Sequence, residues 1–86
     1  MEKEDYKQIY LKRINQLVDK WKDDPDYDGT QATYEFDNTC TVEEIVGFYV
    51  TEEKERALVQ WKENIDGLDL TEKDMAVTKI LEELYK

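Results

Sequence analysis

Apolar side chains recur at helical spacing through the first 22 residues: Tyr6, Tyr10, Ile14, Leu17, Val18 and Trp21 are separated by four, four, three, one and three positions. Steps of three and four hold side chains on one side of a helix with 3.6 residues per turn. The spacing therefore predicts an amphipathic helix over 3–22, with Ile9 and Leu11 widening its stripe and the aromatic row serving as core. Pro25 ends the run, because the residue before a proline is pushed out of helical geometry, and Asp26, Asp28 and Gly29 continue the turn signals. A partial alternation follows, with Ala32, Tyr34 and Phe36 on one side and Thr33 and Glu35 on the other. Residues 23–40 are thus expected to form an acidic loop, with room for a short strand.

Thr41 with Glu44 three positions on has the form of a reciprocal N-cap, and Val42, Ile45, Val46 and Tyr49 then share one helical face, which predicts a helix over 41–49. The β-branched and aromatic content of 45–50, together with Gly47, supports a strand as the competing reading, and the helix is preferred. Thr51 is read as the cap of a third helix over 51–65, with Glu52 and Glu53 at its positive end and Ala57, Leu58, Trp61 and Ile65 turned inward. Asp66-Gly67 ends it. Thr71 and Asp74 repeat the capping pattern, and Val77, Ile80, Leu81 and Leu84 complete a last helix over 71–85. The expected fold is mainly α: a single small domain, 1–86, of about four helices, with the acidic loop and its short β element between helices one and two. The alternative is α+β, with a small sheet built from 31–36 and 45–50.

Composition changes what such a domain is expected to do. The 86 residues include 22 acids and 12 bases, a net charge of −10, with no His and no Ser. Without His or Ser, the familiar Ser-His and Cys-His pairs and the Cys/His zinc sites cannot be assembled, and no enzymatic activity is expected. Cys40, the one cysteine, can form no internal disulfide, and the start of the chain is charged, so a reducing cytoplasm is the expected compartment. The longest apolar stretch, Ile45 to Val50, is far short of the roughly 20 residues that cross a bilayer. The charge is also unevenly placed: residues 1–22 carry +2, residues 23–55 carry −10 and residues 56–86 carry −2. A concentrated negative field repels phosphate backbones and attracts basic partners.

One stretch carries metal chemistry in its spacing. Asp24-Pro25-Asp26-Tyr27-Asp28-Gly29-Thr30-Gln31-Ala32-Thr33-Tyr34-Glu35 fits D-x-D-x-D-G-x5-E residue for residue and resembles an EF-hand calcium loop. The resemblance implies calcium as ligand, with carboxylates from Asp24, Asp26, Asp28 and Glu35 and the Thr30 carbonyl as donors. It covers twelve residues and departs from the family at Gln31, where an aliphatic residue is usual, and after Glu35, where the next residues read as turn.

The leading expectation for function is a non-enzymatic interaction module, an inhibitor or regulator, whose 23–55 carboxylates engage a basic protein partner, a nucleic-acid-binding protein being one candidate. Asp37, Glu43, Glu44, Glu52, Glu53 and Glu55 are its candidate contacts, with no direct nucleic-acid binding by the chain. By size, charge and helical content the chain is similar to bacteriocin immunity proteins and to acidic phage-encoded inhibitors that imitate nucleic acid, though it shares no sequence motif with either. The alternatives are a calcium module built on 24–35 and a structural or oligomeric helical protein without a ligand.

Overall fold

Three reciprocal caps open α-helices along the chain. The computed structural model describes all 86 residues and contains α1 (Lys3–Trp21), α2 (Thr30–Thr39), α3 (Val42–Glu52), α4 (Ala57–Ile65) and α5 (Glu72–Leu84), with a 3-10 turn over Lys54–Arg56 between α3 and α4. Thr41 and Thr71 cap α3 and α5 as their spacing predicts. Each hydroxyl accepts from the backbone N–H three residues on, and Glu44 and Asp74 accept in return from the cap N–H groups. Asp5 closes the start of α1 by accepting from the Glu2 N–H at 2.7 Å.

The domain is mainly helical, and no strand forms. That corrects two expectations at once: 31–36 lies in α2 and 45–50 in α3, so the small sheet of the α+β alternative is absent and the loop expected over 23–40 shrinks to the connection before Thr30. Tyr34 decides the periodicity. It is 70% exposed while Ala32 and Phe36 are buried, so the four-residue step from Ala32 to Phe36 is the core spacing, and the two-residue alternation is incidental. The third boundary also moves. The chain continues helically through Thr51 and Glu52 and breaks at Lys54, which takes a left-handed backbone (φ 48°), and the Thr51 hydroxyl is buried without a partner instead of capping a helix.

Two clusters make the core. Tyr6, Val46, Tyr49, Val50, Ala57, Trp61, Val77 and Leu81 join α1, α3, α4 and α5, while Tyr10, Leu17, Ala32 and Phe36 join α1 to α2. Half-buried Phe48 packs against both clusters. Through it a row of edge-to-face rings, Phe36, Tyr10, Phe48, Tyr49 and Trp61, runs from α2 to α4 with centroids 5.2–5.6 Å apart. The helices α1 and α3 cross at Gly47. A β-carbon there would stand 2.1 Å from the Tyr6 carbonyl oxygen and 2.6 Å from Tyr10 Cβ, so the glycine that argues against a helix on propensity is what lets these two helices touch.

Candidate functional site around the second helix

The acidic segment begins where α1 stops. After Trp21, Asp24 donates its N–H to the Trp21 carbonyl and Tyr27 donates to Asp24, which winds the chain around Pro25. The Asp24 carboxylate then accepts from the Asp26 N–H at 2.8 Å, and the Asp28 carboxylate accepts from the Thr30 N–H at 2.9 Å. Hydrogen bonds from the Thr30 hydroxyl and N–H hold the Asp28 carboxyl below its usual pKa. Gln31 completes the turn, accepting from the Asp28 N–H and donating to the Asp26 carbonyl. Gly29, at φ 93°, supplies the left-handed residue from which α2 departs. Asp28 and Gln31 thus brace the turn that leads into α2, whose N-cap is Gly29 and has no side chain to bond with.

This local order separates the five residues of the calcium-loop resemblance. Helix α2 begins at Thr30, five residues ahead of Glu35, and carries Glu35 round to α1. There its carboxylate accepts from Lys20 Nζ at 2.6 Å and from Trp21 Nε1 at 3.2 Å. Chiefly the Lys20 hydrogen bond, helped by that of Trp21, keeps this carboxyl below its ordinary value. Asp24, Asp26, Asp28 and Glu35 consequently do not converge, and no three metal-binding side chains stand together anywhere in the chain. The twelve residues shape a helix entry and tie it back to α1.

The six expected partner contacts divide as sharply. Asp37, Glu43, Glu52 and Glu55 are exposed and Glu53 is half-buried at the end of α3. Glu44 is a correction: it is 8% exposed, it closes the cap of α3, and it faces the Arg13 guanidinium at 4.0 Å. The capping spacing that predicts the helix also turns this side chain inward, so it serves the fold. Arg13 further donates to the Thr39 hydroxyl at 2.5 Å, joining α1 to the end of α2.

Ion pairing leaves most of this segment free. The three ion pairs of the chain are Lys20–Glu35, Arg13–Glu44 and Lys22–Asp19. Nine of the eleven carboxylates in 23–55 therefore have no cation within 4.0 Å, and the one base of the segment, Lys54, is unpaired as well.

Sequence reasoning missed the concave surface beside these acids. A cleft of about 320 Å³ opens between α1, α2 and α3, walled by Tyr10, Ile14, Phe36 and Phe48 with Thr33 and Asp37 at its polar side. Helical periodicity places only Tyr10 and Ile14 of this lining, on the core face of the first helix, while Phe36 reads as part of an alternating segment and Phe48 carries no signal. Only the packing of α2 against α1 and α3 leaves part of them open. No helix is long and apolar enough to cross a membrane. The chain matches no protein family, no curated protein and no solved structure.

Proposed function

We propose that the chain is a small acidic interaction module, in the class of protein inhibitors and regulators, whose surface carboxylates between Asp23 and Glu55 engage a basic protein partner. The observation that carries this reading is the set of nine carboxylates in that segment that the fold leaves without a cation, while its neighbours Arg13 and Lys20 are spent on Glu44 and Glu35. Unneutralised charge of one sign raises the association rate with oppositely charged surfaces and biases the choice of partner. Asp37, Glu43, Glu52, Glu53 and Glu55 are the contacts proposed, and Glu44 is withdrawn to the fold. A partner that binds nucleic acid fits the same reading, since its groove is already basic and the acids take the place of phosphates.

The experiment is affinity capture on the immobilised chain at low and at high salt, followed by competition with double-stranded DNA. The reading expects basic proteins that release as salt rises and that DNA displaces. Capture indifferent to salt, or a partner set lacking basic proteins, would overturn it.

A further inference from the structure

The unpaired carboxylates are not equivalent, because one of them stands at a built concavity. Asp37, exposed on α2, borders the aromatic cleft of Tyr10, Ile14, Thr33, Phe36 and Phe48. It also borders the shallow depression that continues along α2 past Thr33 toward Asp28. Each cation that the fold brings near α2 is committed to another oxygen: Arg13 to Thr39 and Glu44, Lys20 to Glu35, and Lys73 to the Cys40 carbonyl. None lies within 4.0 Å of Asp37.

We propose that this cleft receives a single lysine or arginine side chain from the basic partner, its aliphatic stem against Phe36 and Phe48 and its charge on the Asp37 carboxylate. The inference rests on the reading that the partner is basic and assigns the place where recognition is specific. Long cationic side chains match such a lining, because their methylene stems bury on apolar surface while the head keeps a charged partner, and aromatic rings attract a cation electrostatically. The size agrees. About 320 Å³ is at the lower end of ligand cavities, enough for one side chain and small for a cofactor. The adjoining depression, which shares Thr33 and Asp37 with the cleft, gives the backbone carrying that side chain a path along α2 and favours a peptide segment over a free amine.

Two substitutions test the assignment without touching the core. Asp37→Asn removes the charge, and Thr33→Lys places an ammonium one helical turn before Asp37, where it pairs with that carboxylate and occupies the cleft. The full chain, isotopically labelled, is titrated with an oligo-arginine peptide and followed by amide NMR, with Asp23→Asn as an exposed acidic control away from the cleft. The proposal expects saturable shifts at Thr33, Asp37 and Phe48. Affinity should fall about tenfold in Asp37→Asn and in Thr33→Lys, as befits loss of a charge-assisted hydrogen bond, and less than twofold in Asp23→Asn. If Thr33→Lys loses its helical circular dichroism, Asp37→Asn alone carries the test. Salt-sensitive binding that all three variants weaken equally would overturn the cleft and leave the acidic-module reading standing. Absence of any binding by the peptide would overturn both.

Discussion

Replacing Gly47 by alanine sets two opposing effects against each other, and the structure says which wins. In a helix interior, alanine is favoured over glycine by about 1 kcal/mol. At Gly47 the new methyl would stand 2.1 Å from the Tyr6 carbonyl oxygen, 0.9 Å inside the 3.0 Å that β-carbons respect. The obstruction is backbone, so no rotamer change relieves it, and α1 must move off α3. Tyr6, Tyr10, Val46 and Val50, all buried along this contact, would then lose part of their packing, since a gap of roughly 0.5–1 Å already forfeits a quarter to a half of a dispersion contact. Overpacking of this kind costs about 1–3 kcal/mol, and an immovable obstacle puts Gly47→Ala near the top, about 3 kcal/mol. Subtracting the propensity gain leaves a net loss of about 2 kcal/mol from a domain whose whole stability is roughly 4–13 kcal/mol. Thermal unfolding followed by circular dichroism should show a Tm lowered by about 8–16 °C, and urea unfolding a lower midpoint with unchanged slope. An unchanged or raised midpoint would refute the close crossing of α1 and α3, because propensity alone would then be governing this position.

Four further outcomes follow from single features. Thr51→Val removes a buried hydroxyl that has no partner and keeps its shape, so urea unfolding should find it unchanged or more stable by up to about 1 kcal/mol; a loss of more than that would reveal a partner for the hydroxyl. Lys54→Gly relieves a left-handed backbone (φ 48°) and should be neutral or stabilising by up to about 1 kcal/mol in the same assay, whereas helix-interior logic alone predicts a loss. Burial pushes the phenols of Tyr6, Tyr10 and Tyr85 above their ordinary 10.0, and Tyr85 also donates to the Lys54 carbonyl at 2.6 Å. Unfolded tyrosines ionise first, so stability from these groups is complete below pH 10.0 and is lost as pH rises through the folded values; a Tm that stays flat from about pH 9 to 11 would contradict it. Calcium added to the chelator-treated chain should leave its Tm unchanged at millimolar concentration, because the carboxylates of 24–35 do not converge; a saturable calorimetric heat abolished in Glu35→Gln would restore the loop as a site.

The legible part of the fold is the part where two independent signals coincide. Thr41 with Glu44 and Thr71 with Asp74 pair a hydroxyl with an acid three residues on, and both open helices whose apolar spacing agrees. Thr51 has the hydroxyl but Lys54 at the third position, and there the helix runs on. The first helix is read correctly from 3.6-residue spacing alone, because nineteen residues give that period several turns in which to repeat. Helix α2 is too short for this. Its ten residues hold two buried apolar side chains, and Tyr34 between them imitates an alternating strand, so the period is undetermined, and its N-cap, Gly29, carries no capping side chain to mark the start. The aromatic cleft was illegible for a different reason: it is a property of how three helices meet, and no single segment contains it.

The same meeting of helices decides what the net charge of −10 means. Read along the chain, the basic first helix and the acidic middle look like separate regions of opposite sign. Folding brings α1 beside α2 and the start of α3, and Lys20 and Arg13 reach across to Glu35 and Glu44. Those two carboxylates are also the ones that the calcium-loop and capping spacings single out, so the motifs with the clearest sequence signal are consumed in holding helices together. Asp37 belongs to no motif. It is left unpaired at the border of the aromatic cleft, while Arg13, the α1 cation near the end of α2, is bound to Thr39 and Glu44. Internal bonding therefore works as a sieve: ion pairs take Glu35 and Glu44 for the structure, the turn before α2 takes Asp24 and Asp28 through backbone hydrogen bonds, and of the carboxylates that remain at the surface Asp37 is the one that borders the cleft.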